Sequence, residues 1–167
     1  MKPKTILRLD RANLKILSTL QKNGKISFQK LSEAVGLSPS PCFFRVRNLE
    51  KVGVIRCYNA QIDLEKFCPY VMVMTEITLE KHSSDYEKQF RRHIDNVPEI
   101  ISAYMVSGRF DFLLHFVCSG IDRYMSLTQE LSNANLGITH LTSYIILATV
   151  KAFDGYRLME LTEGAAL

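Results

Sequence analysis

Between Ser38 and Asn48 the chain gathers two guanidinium groups, an amide, two hydroxyls and an aromatic ring: Arg45, Arg47, Asn48, Ser38, Ser40 and Phe44. An arginine fork can hydrogen-bond to both acceptors of a guanine edge, whereas serine hydroxyls and a helix N-terminus suit phosphate oxygens. Such groups act together only if one rigid element presents them outward. The surrounding stretch, ISFQKLSEAVGLSPSPCFFRVRNLEKVGVIR over Ile26–Arg56, supplies one. Ser27 is placed to cap a helix with apolar positions Phe28, Leu31 and Val35, and Gly36 gives that helix its end. Leu37 turns back to the core. Ser38 is placed to cap a second helix, with Pro39 at its first position and Pro41 still in the first turn, where no intrahelical amide partner is lost. Cys42, Val46, Leu49 and Val52 or Gly53 recur at helical spacing, so Ser40, Phe44, Arg45, Arg47 and Asn48 fall off the core stripe. The punctuation is that of a helix-turn-helix whose second helix faces outward.

Charge divides the chain in the same way. Residues 1–60 hold twelve Lys and Arg against Asp10, Glu33 and Glu50, a balance of +9, whereas the remainder holds nine against fourteen acids, or −5. A basic compact helical unit is the footprint of a polyanion partner, and an acidic remainder is not. Upstream, Asp10 is placed to cap a further helix carrying Leu14, Ile16, Leu17 and Leu20 and ending near Asn23-Gly24. Three such helices close one small core, marginal without a partner chain or second domain. Val54–Ile62 alternates enough to be read as an extended strand linking two domains.

The length of 167 residues, 47% of them hydrophobic, allows one or two globular units. No apolar run approaches the ~20 residues needed to cross a bilayer, and MKPKTILRLD lacks the apolar stretch of a signal peptide, so a cytoplasmic protein is expected. Cys42, Cys57, Cys68 and Cys118 are scattered without a CxxC pair and read as buried reduced thiols. His82, His93, His115 and His140 form no ligand-spaced cluster, so no metal is expected.

The second half changes period. Tyr70–Glu80 alternates as a half-buried strand, and a helix opened by Ser84-Asp85 carries Tyr86, Phe90 and Ile94 until Pro98. Ile100–Val106 and Phe110–Val117 form a hairpin about Ser107-Gly108-Arg109, in which Gly108 supplies the positive φ of a tight turn. A helix from Asp122 buries Tyr124, Leu127 and Leu131, ends at Asn135 and Gly137, and leads to a last strand, Leu141–Val150. The order β-α-β-β-α-β is the ferredoxin-like split βαβ motif, an antiparallel sheet with both helices on one face. Apolar residues on both strand faces require a further subunit over the open face.

The fold is therefore α+β: a winged-type three-helix helix-turn-helix domain at 1–54, a linking strand and hinge at 55–69, a ferredoxin-like domain at 70–151 and a tail at 152–167. This order resembles the leucine-responsive regulatory protein family, Lrp/AsnC or feast/famine regulators. The resemblance covers nearly the whole chain, and four motifs carry it, LDRANLKIL from Leu9, LSPSPCFFRVRNLE from Leu37, GVIRCYNAQID from Gly53 and MVSGRFDFLL from Met105.

The resemblance implies a transcriptional regulator, not an enzyme, that binds double-stranded DNA through the helix bearing Ser38, Ser40, Phe44, Arg45, Arg47 and Asn48. Phe44 and Asn48 depart from relatives that are polar or charged, and basic, at these positions. Phe44 could meet thymine methyls, or make a hydrophobic contact within the domain or with Phe43. The second domain, RAM/ACT-like, is implied to bind a small effector, most simply an amino acid, between dimers. Met105, Val106, Ser107, Gly108 and Asp111 match the pocket, and Ile121, Tyr144, Ile145 and Ile146 match positions linked to response. Asp111 would meet an ammonium, or else satisfy turn amides. Arg109 stands where relatives are commonly acidic; it could attract an acidic group, pair with Asp111 or reach across an interface, which leaves the effector's identity open. A homodimer assembling to an octamer is implied, with no cofactor. Two other readings are a sirohaem-type tetrapyrrole decarboxylase of related fold, which would bind that pigment, and an effector-independent architectural DNA protein, which would show no ligand heat.

Overall fold

A computed structural model describes residues 7–80 and 84–163; the MKPKTI start expected to hold no signal peptide, His82 and the last four residues of the expected tail lie outside them. The chain divides into two compact units, one built from residues up to 61 together with those from 151 onward, the other from residues 62–150.

In the first unit, α1 (Arg11–Lys22), α2 (Phe28–Val35) and α3 (Pro39–Lys51) enclose a core of Ile16, Leu31, Val35, Cys42, Val46 and Leu49. Their ends follow the side chains expected to set them. Asp10 accepts the Asn13 amide at 2.8 Å and Ser27 the Lys30 amide at 3.3 Å. Gly36 adopts φ +72° and closes α2, with the Leu37 amide donating to the Ser32 carbonyl at 2.9 Å. Gly53, at φ +74°, does the same for α3, since the Val54 amide reaches back to the Leu49 carbonyl at 3.0 Å. Ser38 occupies the N-cap of α3 but makes no side-chain capping bond. A capping hydroxyl needs the amide of the second or third helical residue, and the third is Pro41, which has none.

Three expectations are corrected in this unit. Phe28, placed on the buried stripe of α2, is 41% exposed. Val54–Ile62 forms no strand: Val54 and Ile55 complete the end of α3, and the Tyr58 ring lies against Gly24, its hydroxyl donating to Glu50 Oε1 at 3.0 Å. Desolvation, reinforced by the Glu50 carboxylate, pushes the Tyr58 phenol up to about 12. The segment beyond residue 151, read only as a tail, carries α6 (Leu158–Glu163) and packs on α1. Gln21 holds it with both ends of its amide, donating to the Tyr156 carbonyl at 3.2 Å and accepting the Tyr156 amide at 2.7 Å. Among the thiols, Cys42 and Cys118 are buried, but Cys57 is exposed and Cys68 half-buried, because the segments carrying them lie outside both cores.

The second unit has β1 (Val71–Leu79), α4 (Ser84–Ile94), β2 (Ile100–Met105), β3 (Phe112–Cys118), α5 (Ile121–Asn133) and β4 (Ile138–Ile145). The sheet order is β2-β3-β1-β4, antiparallel throughout, so the two crossover units interleave as in the split βαβ motif. Alternate residues Val73, Ile77, Phe112, Leu114 and Phe116 meet Phe90, Ile94, Tyr124, Leu127 and Leu131 from the two helices. Inside this core Thr75 Oγ1 bonds to Tyr124 Oη at 2.8 Å, and Tyr124 Oη also bonds to Ser143. The opposite face bears Met72, Met74, Leu113, Val117, Tyr104 and Tyr144 beside polar Glu76, Thr78, His115, His140 and Thr142, so it is more mixed than expected. β4 begins three residues earlier than the expected Leu141 and ends at Ile145, where β1 offers no further partner beyond the Met72 carbonyl.

Candidate functional site

The outward face of α3 follows from the burial of the inward one. With Cys42, Val46 and Leu49 at 1% exposure or less, residues 40, 44, 47 and 48 stand on the far side, and Ser40, Phe44, Arg47 and Asn48 are all exposed. Ser38 is exposed at the helix N-terminus, its hydroxyl free of any capping role. The two arginines differ. Arg45 is turned inward: its Nη1 lies 2.6 Å from Asp10 Oδ2 and 3.0 Å from Asn13 Oδ1, tying α3 to the start of α1. Asp10 is held below the usual carboxylate range, chiefly by the Asn13 amide and then by Arg45. Arg47 stays on the surface, with Glu50 Oε2 at 3.1 Å and its guanidinium 5.3 Å from the centre of the Phe43 ring. Sequence spacing could not separate the two arginines, because positions 45 and 47 both miss the stripe; the partner that distinguishes them, Asp10, lies 35 residues away in sequence.

A further feature escaped the sequence reading. Phe28, at the start of α2, meets Phe43 edge to face at 5.1 Å, and Phe43 meets Phe44 at 5.7 Å. Three rings in contact run from α2 onto the outward face of α3, and Phe44, at 67% exposed, is their open end.

In the second unit the β2–β3 turn carries Val106, Ser107, Gly108 and Arg109, with Gly108 at φ +157°, a conformation glycine adopts readily and L-residues do not. Asp111 holds the neighbouring strand end. β3 starts opposite Ile77, so Leu79 at the end of β1 overhangs without a strand partner on that side, and Asp111 Oδ2 accepts its amide at 2.8 Å. The Asp111 amide donates to the Ile77 carbonyl and its carbonyl accepts the Val106 amide, each at 2.9 Å. Arg109 is not paired with Asp111; its Nη2 lies 3.5 Å from Glu76 Oε2 on the open face of the sheet. Arg109, Glu76, Thr78, Phe110, Thr139, His140, Thr142 and Tyr144 surround a cleft of about 540 Å³.

The nine residues expected to bind or answer an effector therefore fall into two groups within one chain. Met105, Val106, Ser107, Gly108 and Asp111 stand at the end of the sheet where β1 finishes. Ile145 pairs with Val73 and Ile146 with Met72, four or five residues back along β1, roughly 15 Å at ~3.3 Å per residue. Ile121 follows the far end of β3, itself paired with Val71. Tyr144, alone of the nine, lines the cleft beside Arg109.

Comparison with known proteins bears on both units. Residues 9–56 match the winged helix-turn-helix DNA-binding family, and residues 72–155 the Lrp/AsnC ligand binding domain. The chain is 37% identical over 145 residues to the transcriptional regulatory protein DoeX of Halomonas elongata, covering 87% of this chain and 92% of that protein. It is 37% identical to the leucine-responsive regulatory protein of Escherichia coli K12, covering 86% and 87%. Among solved structures, a transcriptional regulator of Neisseria meningitidis in complex with L-methionine superposes with a TM-score of 0.85 at 28% identity, over 92% of this chain and 99% of that one. An AsnC family regulator from Agrobacterium tumefaciens gives 0.84 at 30%, with the same coverage. A helix-turn-helix unit with an outward basic helix, followed by a four-stranded ligand-binding domain, makes this chain a member of the Lrp/AsnC family of DNA-binding transcriptional regulators.

Proposed function

We propose that the chain binds specific DNA through the exposed face of α3 and that a free amino acid, held by the second domain, adjusts that binding. The observation that supports the DNA contact is the convergence of Ser40, Phe44, Arg47 and Asn48 on one exposed helix face, within the first 60 residues, which carry +9. Helix-turn-helix proteins set this helix in the major groove, where Arg47 would read base edges and Ser38 and Ser40 would take phosphates. Arg45 acts differently from the sequence expectation, as a strut that orients α3. Support for an amino acid comes from the ligand-binding family and from the Neisseria relative's L-methionine complex. The Ser107-Gly108 backbone offers amides to a carboxylate, and Met105 an apolar wall. Since one chain separates the turn from Ile121, Ile145 and Ile146, a complete pocket calls for a second copy, which fits an effector that biases assembly. Homodimers joined into a larger ring, the octamer of the sequence reading, would then present several reading helices to one DNA.

The test has two arms. Titrating duplex DNA from upstream of the chain's own gene at fixed salt should show Arg47→Ala about 1–3 kcal/mol weaker than wild type; equal affinity would refute the reading face. Thermal melting with each free amino acid, with and without that duplex, should give a ligand-dependent shift that changes when DNA is present. No shift with any of them would remove the amino acid.

A further inference from the structure

The ladder Phe28, Phe43, Phe44 ends in a ring that is 67% exposed on the face of α3 shared with Ser40, Arg47 and Asn48. A single exposed phenylalanine needs no explanation. Three in edge-to-face contact, the last lying between a hydroxyl and a guanidinium, form a supported apolar point in a basic polar surface. Phe43 is itself flanked by the Arg47 guanidinium at 5.3 Å, so ring and cation are held in one arrangement before any partner arrives. Phe44 is the sixth residue of a helix beginning at Pro39, within the N-terminal half through which a reading helix meets base edges. The major groove offers one apolar group among its base edges, the C5 methyl of thymine.

We infer that Phe44, buttressed by Phe43 and Phe28, is a specificity-determining residue that packs on a thymine methyl, with Arg47 one helical turn away hydrogen-bonding a neighbouring base. The inference rests on the proposed DNA contact and adds to it the base that Phe44 selects. It also resolves the two uses of Phe44 left open by the sequence, because contact with Phe43 and exposure toward DNA coexist in one side-chain position.

Duplexes enriched from a random pool by the full-length wild-type protein provide the probe. Each thymine of an enriched duplex is then replaced singly by deoxyuridine, which lacks only the C5 methyl. At one thymine in each half-site, wild-type affinity should fall about fourfold. Phe44→Ala should bind the thymine and deoxyuridine duplexes alike, and Phe44→Leu should retain part of the discrimination. Melting of both variants at the wild-type temperature confirms that the helix remains in place. If Phe44→Ala keeps the wild-type thymine-to-deoxyuridine ratio, or if no thymine methyl matters to the wild type, the assignment is overturned while the DNA reading stands. A uniform loss over all duplexes with a change in oligomeric state would overturn it in favour of a surface between copies. If no duplex is enriched, the sequence-specific DNA reading falls and this inference falls with it.

Discussion

The proposed DNA-reading face and the proposed effector region differ in how their residues come together. On α3, Ser40, Phe44, Arg47 and Asn48 converge because a helix returns every three or four residues to the same side, so their grouping is settled within nine residues of chain. In the ferredoxin-like domain the nine expected residues come from one turn, one helix start and one strand end, and the sheet order sets them apart. A helical site is a property of one element, whereas a sheet site is a property of how strands are ordered and, here, of how chains would assemble. The same contrast bears on two residues expected to meet ligands: Arg45 joins α3 to Asp10, and Asp111 takes the second use open to it, accepting a backbone amide.

The largest expected effect that would sharpen this contrast is at Asp111. Asp111→Ala leaves the overhanging Leu79 amide without its acceptor and should destabilise the second domain by about 1–3 kcal/mol, read as a lower denaturation midpoint. Asp111→Asn keeps a side-chain oxygen and should recover most of that loss. Unchanged stability in the alanine variant would return Asp111 to the effector. A smaller effect is expected at Arg45. Its ion pair with Asp10 is partly exposed, with side-chain accessibilities of 35% and 52%, so Arg45→Ala should cost no more than ~1 kcal/mol of stability. DNA affinity should then fall less than for Arg47→Ala under the same conditions; the reverse order would make Arg45 the reading residue and Arg47 the accessory one.

The smallest effect is a pH response of the sheet. Burial lowers the His115 pKa below its ordinary 6.5, so the folded domain prefers the neutral ring. The stabilisation is present above pH 6.5 and is lost as pH falls from there through the depressed folded value, because the unfolded chain takes up the proton first. Denaturant melts at successive pH values should show this decline in wild type and a shallower one in His115→Gln. Equal slopes would assign the decline to other groups.

Much of the fold was legible because its signals are local. Asp10, Ser27, Gly36 and Gly53 mark helix ends through hydrogen bonds made within one turn, and the strand and helix periods of the second half place Phe90, Tyr124 and Leu131 inward. The linking strand was misread for a physical reason: alternation over Val54–Ile62 describes an extended chain, but a strand also needs a partner, and Tyr58 instead packs on Gly24 and Glu50. The tail beyond residue 151 gave no period to read. Its place depends on Gln21, 135 residues away in sequence, whose amide mimics a backbone pairing with Tyr156.

By itself, then, the sequence determined the three-helix and βαββαβ orders, most of the inward stripes and the basic character of α3, since each is written in spacings shorter than one element, and four such local motifs carried the family. Tertiary structure decided what those spacings left equal. It turned Arg45 toward Asp10 and left Arg47 outside, lined up three phenylalanines across two helices, gave Asp111 to Leu79, and put Ile145 and Ile146 some four residues of strand away from the Ser107-Gly108 turn. Each of these depends on partners distant in the chain, whose approach is fixed by core packing and strand order and not by local propensity.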